Sequence, residues 1–413
     1  MGALWHPFSD MGAVERDGEF VVSRGQGAHV FDPSGRRYLD ATAGLWFANV
    51  GHGREELAEA AAAQIRRIAA YHTFGDFTTV PTVELAERLA GIAPVPGSKV
   101  FFTSGGSDSI ETAVKLARRY WVEVGQPRRR HIVGRTLAYH GMHFAATSLG
   151  GIPGNVAGYG DLAPEFEHVP WDEADALRAS IERLGPENVA AFFCEPVIGA
   201  GGVYPPPPDY LATVRKICTE YDVLFVADEV ITGLGRIGGA WFASGRFGLE
   251  PDMITLAKGL TSGYIPMGAV LIAPRVADPF FETEAGRWFR HGYTYSGHAV
   301  AAAVALANLD IIEREDLLDS AARLETVLSQ RLSPLAEHDA VAEVRSGTGA
   351  LAAVQLTGPG LAAGVARRMR EAGVIVRAVG AGGLQISPPF VTTDAQVDEI
   401  AAAAAAALRG TQE

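Results

Sequence analysis

Along the middle of the chain, short apolar runs alternate with stretches whose apolar positions repeat every three or four residues. The apolar runs lack polar alternation, which is typical of strands covered on both faces. Because predicted helices separate them, we expect an α/β fold around a mostly parallel sheet. The runs are KVFFTS (99–104), HIVGR (131–135), VAAFFCEPV (189–197), VLFVAD (223–228), MITLA (253–257) and AVLIA (269–273).

The pattern differs at the two ends of the chain. Residues 1–47 contain short β-like pieces separated by Gly and Asp-Pro-Ser-Gly turns, and we expect them to form an N-terminal segment. Residues 48–297 carry the apolar strands and form the predicted large domain. Residues 298–413 contain long Ala- and Leu-rich helical patterns around a few strands, among them GVIVRAV (373–379), and predict a smaller α+β domain.

Composition narrows the classes of protein to which the chain can belong. The 413 residues carry a net charge of −13, so we expect no basic face for nucleic acid. No apolar run approaches the roughly 20 residues of a membrane span, and the N-terminus lacks the basic and apolar regions of a signal peptide. Two cysteines are too few for a disulfide framework or a four-cysteine zinc site. We therefore expect a cytoplasmic protein and no cysteine-ligated metal site.

The first candidate motif is TSGGSDS (103–109), which follows a predicted strand and opens a helix. Its glycines allow a ligand to approach the backbone closely, and a helix start offers free N–H groups. Ser107 adds a hydroxyl donor. The motif predicts a phosphate cradle, and an ordinary glycine-rich turn is the alternative.

Three further motifs place distinctive side chains where predicted strands end. In FVADEVITG (225–233), Asp228 is either a helix N-cap or a poorly solvated acid. Such an acid needs a cationic partner, either a metal ion or a protonated ring nitrogen. In TLAKGLTSGY (255–264), Lys258 is either a desolvated nucleophile toward carbonyls or a surface lysine. In AYHGMHF (138–144), Tyr139 either stacks on a flat cofactor or belongs to the core.

Together the four motifs place a phosphate cradle, an aromatic ring, an acid and a lysine at one edge of one sheet. Pyridoxal phosphate needs an imine-forming lysine, an acid at the pyridine nitrogen, a stacking ring and a phosphate cup. The motifs therefore predict this cofactor. Gly233–Gly238 spells GxGxxG, but no strand ending in an acid follows at the expected spacing, so we expect no dinucleotide there.

Motifs in a fixed order over nearly the whole chain carry a family resemblance. They include WHPFSDM (5–11), GLWFANVGHG (44–53), FFTSGGSDSIETAVKLARRYW (101–121), CEPVIGAGGV (194–203), VADEVITGLGRIG (226–238), AKGLTSGYIPMGAV (257–270) and HGYTYSGHA (291–299). With these motifs the chain resembles the class III aminotransferases of the fold-type I pyridoxal-phosphate enzymes, and most of all the ω-amino acid and amine:pyruvate transaminases. The resemblance implies a large domain with a mostly parallel sheet, and a small C-terminal domain against which the N-terminal segment packs. It also implies ping-pong amino transfer from an amine or ω-amino acid to a keto acid, pyruvate.

The resemblance also implies a role for each matching residue. Lys258 becomes the imine-forming lysine that shuttles the proton, and Asp228 the partner of the pyridinium nitrogen. Thr294 is expected to reach the phosphate of the neighbouring subunit, which implies a homodimer, with a tetramer left open. The remaining cofactor contacts are Gly105, Gly106 and Ser107 at the phosphate, Tyr139 and Val230 at the two ring faces, and Glu195 nearby.

For the substrates, the resemblance implies an aromatic-walled pocket and an arginine that grips a carboxylate. Arg377 matches the arginine that binds the acceptor, and its planar fork suits a bidentate contact. The amine donor stays open between arylalkylamines, β-alanine, 4-aminobutyrate and a diamine. The implied pocket residues are Phe8, Trp46, Phe74, Phe77, Tyr139 and Ala200.

Two other functions stay open on the same scaffold. One is an intramolecular aminomutase of the glutamate-1-semialdehyde type, an isomerase that needs no separate acceptor. Arg377, Phe8 and Trp46 favour the transaminase over it. The other is a non-catalytic cofactor-binding protein, against which the presence of Lys258 and Asp228 argues.

Overall fold

The computed structural model describes residues 3–282 and 286–410, so the first two and last three residues of the predicted domains lie outside the described residues. Its strands are, in chain order, β1 (Arg24–Gln26), β2 (His29–Phe31), β3 (Arg37–Asp40), β4 (Lys99–Thr103), β5 (His131–Arg135), β6 (Phe166–Val169), β7 (Val189–Cys194), β8 (Leu224–Asp228), β9 (Met253–Leu256), β10 (Gly268–Ile272), β11 (Val341–Arg345), β12 (Ala352–Leu356), β13 (Val374–Ile375), β14 (Arg377–Val379) and β15 (Gly383–Ile386).

Helices connect these strands and cover them. Within the described ranges, no helix is both long and apolar enough to cross a membrane. Short 3₁₀ turns lie at Pro186–Asn188, Lys258–Leu260 and Ser333–Glu337. The helices are α1 (Met11–Asp17), the single turn α2 (Ala43–Trp46), α3 (Glu55–Arg67), α4 (Val80–Ile92), α5 (Gly106–Glu123), α6 (Phe144–Leu149), α7 (Pro153–Val156), α8 (Ala174–Leu184), α9 (Tyr210–Glu220), α10 (Ala243–Arg246), α11 (Pro274–Phe281), α12 (Ala299–Arg314), α13 (Leu317–Leu332), α14 (Leu361–Glu371) and α15 (Asp394–Arg409).

The central sheet has the strand order β4-β10-β9-β8-β7-β5-β6. The pairings from β9 to β6 are parallel, whereas β10 runs antiparallel to both of its neighbours. Every residue of β7 is buried; Phe192 belongs to one apolar cluster and Phe193 to another. Apolar layers on both faces explain the absence of polar alternation in this strand. The predicted α/β fold with a mostly parallel sheet is confirmed.

Two smaller sheets join the ends of the chain. The first has the order β1-β2-β3-β13, and its parallel pairing places Asp40 of β3 opposite Ile375 of β13. The second has the order β11-β12-β15-β14. Leu39 of β3 shares an apolar cluster with Leu324 of α13 and Ile400 of α15. The N-terminal strands therefore pack with the C-terminal elements, while the boundaries at residues 47 and 297 stay predictions.

Two expectations about strands are wrong. The predicted single strand GVIVRAV divides into β13 and β14, because β13 pairs with β3 and β14 pairs with β15 of the other small sheet. The chain crosses between the sheets at Val376, just before Arg377. β6 is not among the predicted strands, since its four residues FEHV contain no apolar run.

A fully buried arginine connects the large and C-terminal parts of the chain. Arg236 lies in the GxGxxG segment and donates to the backbone oxygens of Ala350 and Pro388 at 3.2 and 2.6 Å. It also donates to Oδ1 of Asn49 at 2.7 Å, and its guanidinium lies 4.6 Å from the Phe390 ring centroid. Burial lowers the pKa of Arg236, so these acceptors compensate a charge that has left water.

Replacing Arg236 with methionine is expected to lower the free energy of unfolding by about 3 kcal/mol or more, because three buried oxygens lose their donor. Urea unfolding of the apoprotein, followed by circular dichroism, measures the change. The control is Arg331→Met, which removes an exposed guanidinium paired with Asp398 and should barely move the midpoint. Equal midpoints for the two variants would contradict a stabilising role for Arg236.

Candidate active site

Two chemically important side chains lie at the ends of neighbouring parallel strands. Asp228 is the last residue of β8 and pairs with Thr255 of β9. Lys258 follows β9 and begins a 3₁₀ turn with a φ of +44°. This left-handed backbone is unusual for a residue with a Cβ. Both side chains line the same cavity.

The surroundings of Lys258 favour its neutral form. Burial lowers the pKa of Lys258 below the ordinary lysine value, and the carboxylates of Asp228 and Glu195 act in the opposite direction without cancelling this effect. A neutral amine attacks carbonyl carbons, whereas an ammonium group cannot. The location of Lys258 therefore suits imine formation.

Three hydrogen bonds hold the Asp228 carboxylate. Oδ2 lies 2.7 Å from Nδ1 of His140, and Oδ1 accepts from Thr255 Oγ1 at 3.0 Å and from Val230 N at 3.1 Å. Because a carboxylate only accepts, Nδ1 of His140 is the donor. Both Asp228 and His140 are buried. The carboxylate is thus fixed in the cavity as a partner for a cationic ring nitrogen.

The sequence alone does not single out His140 as a functional residue. It stands in AYHGMHF beside Tyr139, but its partner Asp228 is 88 positions away. The sequence indicates only that Asp228, if it is buried, needs a hydrogen-bond donor. Only the packing of β5 and β8 against β7 shows which of the 11 histidines supplies it.

The adjacent acids Asp228 and Glu229 face different surroundings. Asp228 lines the cavity, whereas Glu229 accepts hydrogen bonds from Ala243 N and Ser244 N, at 2.5 and 2.8 Å. Burial raises the pKa of Glu229 to about 7. Glu229 therefore anchors the end of β8 to the start of α10, whereas Asp228 faces the cavity.

The start of α5 forms one wall of the cavity. Extended backbone at Gly105 leads into α5 at Gly106, and the first N–H groups of a helix have no acceptor within it. Ser107 Oγ accepts from Met142 N at 3.2 Å. A Cβ at Gly141, whose φ is +105°, would lie 2.4 Å from Ser107 Oγ, so only glycine fits this crossing. A helix start of this kind suits a phosphate.

Glu195 ties two loops together beneath Tyr139. Its Oε1 accepts from Tyr139 N at 2.9 Å, and its Oε2 accepts from Gly199 N at 3.0 Å. Burial raises the pKa of both Glu195 and Tyr139. The Tyr139 ring is therefore held at the cavity as an uncharged aromatic surface.

Together these residues line a cavity of about 130 Å³. An amine, a carboxylate and a helix start with free N–H groups converge on it, which is the donor and acceptor set that pyridoxal phosphate requires. A Cβ at Gly106 would approach Val230 Cγ1 to 3.0 Å, so the Val230 side chain packs closely against the start of α5. The predicted cofactor residues that line the cavity are Gly106, Ser107, Tyr139, Glu195, Asp228, Val230 and Lys258; Gly105 directly precedes them.

A second cavity of about 340 Å³ adjoins the first and shares Tyr139, Ile231 and Lys258 with it. Arg377 lies in its wall, with its guanidinium carbon 5.4 Å from the Trp46 ring centroid. Burial lowers the pKa of Arg377, and no carboxylate is among the groups that act on it. The predicted substrate residues that line this cavity are Phe8, Trp46, Tyr139, Ala200 and Arg377.

The structure does not bring Phe74, Phe77 and Thr294 to Lys258. Phe74 and Phe77 are half exposed and line a separate cavity with His291 and Gly292. Thr294 is exposed in a turn that follows these two residues. All three predicted residues therefore lie on one surface of the single chain, and their roles at the cofactor and substrate stay predictions.

Comparison with known proteins agrees with this geometry. A family model for class-III aminotransferases matches residues 11–408. The chain belongs to the class-III aminotransferases. A putrescine–pyruvate aminotransferase of Pseudomonas aeruginosa is 40% identical to this class-III aminotransferase, over 95% of this chain and 91% of the relative. A diaminobutyrate–2-oxoglutarate transaminase of Halomonas elongata is 37% identical over 92% and 88% of the two chains.

Solved structures confirm the fold-type I architecture of this class-III aminotransferase. The omega transaminase from Pseudomonas jessenii in complex with PMP superposes with a TM-score of 0.95 at 37% identity, over 99% of this chain and 96% of that chain. An amine transaminase from an uncultivated Pseudomonas species in the PLP-bound form gives a TM-score of 0.94 at 37% identity, over 99% of both chains. The family resemblance expected from the motifs is confirmed.

The lowered pKa of Lys258 predicts the pH at which it reacts. In brief acetic anhydride labelling of the apoprotein between pH 7 and 11, Lys258 should reach half-maximal acetylation at a lower pH than Lys216, which is exposed on α9. The reason is that a desolvated ammonium loses its proton earlier. Peptide mass spectrometry gives both profiles, and comparing midpoints removes differences in access. A Lys258 midpoint equal to or above that of Lys216 would contradict the prediction.

Proposed function

We propose that this chain is a pyridoxal-phosphate-dependent transaminase that moves an amino group from an amine or ω-amino acid to pyruvate. The observation that carries the proposal is the second cavity, which has Lys258 at one side and Arg377 at another. Among the described residues, no carboxylate pairs with Arg377. A keto acid needs both groups, since its carbonyl must meet the reacting centre while its carboxylate needs a cation. The name of the Pseudomonas aeruginosa relative supports pyruvate as the acceptor.

The residues of the first cavity would hold the cofactor. The N–H groups at Gly105 to Ser107 would bind the phosphate, Asp228 the ring nitrogen, and Tyr139 and Val230 the ring faces. When bound, pyridoxal phosphate supplies an electron sink for negative charge on the carbon that bears the amine. The pair of Asp228 and His140 keeps a negative charge beside the ring nitrogen, which maintains that capacity.

Lys258 acts as the base at the donor. Its Nζ would take the proton from the donor Cα and pass it to the adjacent carbon of the cofactor, because its lowered pKa increases the fraction of the neutral amine. Glu195 holds the loops around Tyr139 and so keeps the cavity shape constant during this transfer. In the return half-reaction, Lys258 would take a proton back from that cofactor carbon and deliver it to the former carbonyl carbon of the acceptor.

Donor and acceptor use the same space in turn. Among the described residues, the second cavity is the one that both Lys258 and Arg377 line. Because an amine and a keto acid both need this cavity, they cannot react there at the same time. We infer a ping-pong order, in which the carbonyl product of the donor leaves before pyruvate binds. Arg377 lies beside the Trp46 ring in this structure. We infer that it binds the pyruvate carboxylate and stays beside Trp46 when the donor has no carboxylate.

We further infer that the enzyme acts as a homodimer. Phe74, Phe77 and Thr294 lie on one surface away from Lys258 of their own chain. A second copy that covers this surface would bring Thr294 to the neighbouring phosphate, and Phe74 and Phe77 to the neighbouring substrate. A cytoplasmic location also stays part of the proposal.

The first experiment follows the two half-reactions separately. Purified holoenzyme is mixed with 1-phenylethylamine without an acceptor, and the violet absorbance of the bound cofactor is recorded before and after pyruvate is added. We expect the absorbance to disappear with the amine and to return with pyruvate, because the amino group is stored between the two steps. Lys258→Ala should show neither change.

Each outcome of this experiment decides between functions. Bleaching by β-alanine or 4-aminobutyrate but not by the arylalkylamine keeps the transaminase and changes the donor class. No return of absorbance with pyruvate excludes it as acceptor. Absence of any absorbance favours a chain that does not bind the cofactor productively, and full activity of Lys258→Ala would refute the assignment of Lys258.

Removing Arg377 should separate the two substrates. Arg377→Ala is expected to raise the KM for pyruvate by about 100-fold, since a bidentate charge-assisted contact is lost, and to change the KM for 1-phenylethylamine by less than about threefold. Steady-state kinetics with pyruvate and with propanal, which lacks the carboxylate, provide the matched comparison. Similar increases for pyruvate and propanal would show that Arg377 does not bind the carboxylate.

A further inference from the structure

A buried carboxylate outside the first cavity organises a separate turn. Asp40 ends β3, and only 2% of its surface is exposed. Oδ1 accepts from Thr42 N and Thr42 Oγ1 at 3.0 and 2.8 Å, and Oδ2 accepts from Gly44 N at 2.7 Å and lies 2.8 Å from His52 Nε2. Burial acts to raise the pKa of Asp40, but the hydrogen bonds from His52 and the turn outweigh it, so the pKa is lowered. Asp40 is therefore an ionised carboxylate, and each oxygen has two partners.

The turn that Asp40 holds has an unfavourable backbone. Ala43, Gly44 and Trp46 have φ values of 47°, 65° and 61°, all in the left-handed region. Two of these residues carry a Cβ, for which this region is disfavoured. A Cβ at Gly44 would lie 2.3 Å from the Phe47 ring. A strained turn of this kind persists only where surrounding contacts hold it.

The same turn forms part of the substrate cavity. Leu45 and Trp46 line the second cavity, and Trp46 lies against Arg377. Arg377 follows the strand next to Asp40, two residues beyond Ile375, because β3 pairs with β13 and Ala41 N donates to Ile375 O at 3.0 Å. The carboxylate thus lies at the junction between the two walls of the cavity.

We propose that Asp40 is a positioning residue that fixes the Leu45–Trp46 wall opposite Arg377 and thereby sets which amine donors the cavity accepts. This inference rests on the transaminase function proposed above. The carboxylate touches neither substrate nor cofactor; it acts through the turn. Without it, the left-handed residues relax, and the wall that meets the bulky part of a donor moves while the first cavity keeps its shape.

The principal variant is Asp40→Asn. Its side chain keeps the size of Asp40, but one acceptor oxygen becomes an NH₂ group, which cannot accept from Gly44 N. The holoenzyme is mixed with 1-phenylethylamine or L-alanine without an acceptor, and the rate of bleaching is measured against donor concentration. We expect the ratio of the two apparent second-order rate constants to change by about tenfold or more, mainly through the half-saturating concentration of the bulky amine.

A second measurement does not depend on activity. Hydrogen exchange at the Gly44 amide is expected to be about tenfold faster or more in Asp40→Asn, because the amide loses its acceptor. Thr42→Val is the milder variant if Asp40→Asn does not fold. It removes the hydroxyl contacts with Asp40 Oδ1 and Gly44 O but keeps the Asp40 carboxylate and its bond from Gly44 N. It should shift both measurements in the same direction by a smaller factor.

The matched control lies at the opposite end of the same strand. Asp32 precedes β3 and holds a turn by accepting from Ser34 N, Ser34 Oγ and Arg36 N. It lines none of the cavities described above. Asp32→Asn should leave the donor ratio within about twofold of wild type.

Two results would overturn the proposal. The first is an unchanged donor ratio in Asp40→Asn although the Gly44 amide exchanges faster. The second is an equal change of ratio in Asp32→Asn, which would mean a general effect of loosening the small sheet. A wild-type holoenzyme whose absorbance no amine changes would refute the transaminase function and this assignment with it. Because that result is obtained with the wild-type protein alone, it can be distinguished from a failure of the Asp40 proposal, which only the variants reveal.

Discussion

Burial of charged groups at the carboxyl edge of the central sheet is the constraint on which the active site depends. The strands β8 and β9 are buried along their whole length, so a side chain at or just beyond their ends stands in poorly solvated surroundings. The same desolvation favours the neutral form of Lys258 and forces Asp228 to find partners. One physical cause therefore produces both the nucleophile and the fixed counter-charge, and the geometry of parallel strands puts them beside each other.

The substrate cavity has a different origin from the cofactor cavity. The cofactor cavity is built from the ends of adjacent strands, whose positions the sheet fixes. The second cavity instead combines the turn after β3 with the start of β14, which are more than 300 positions apart in the chain. The pairing of β3 with β13 brings these segments together, and the crossing at Val376 places Arg377 in the other small sheet. Contacts near Asp40 therefore affect the substrate cavity before they affect the chemistry at Lys258.

Much of the fold and of the cofactor site is predictable from the sequence, for a physical reason. Strands buried on both faces must be apolar throughout, so β8 and β9 stand out. Asp228 at the end of β8 and Lys258 just beyond β9 are exceptions in this apolar context. Arg377 and Trp46 follow only from the family resemblance, because no local pattern marks them. His140 and Asp40 escape prediction, since each acts through a partner that tertiary packing selects: Asp228 for His140, and a strained turn for Asp40. The division of GVIVRAV into two strands cannot be predicted either, because no local pattern separates β13 from β14. The two strands differ in the neighbouring strands with which they pair.

The separation of the two cavities explains how one scaffold keeps its chemistry while its substrates change. A substitution in the Leu45–Trp46 turn or in the strand at Arg377 alters the shape and charge that a donor meets. It leaves Asp228, His140 and the start of α5 in place, since these are held by the central sheet and by one another. Selection for a new donor therefore acts on the small sheets, whereas selection for the reaction acts on the strand ends. Asp40 belongs to the first group although it is a buried, fully hydrogen-bonded carboxylate, because its partners are the residues of the turn.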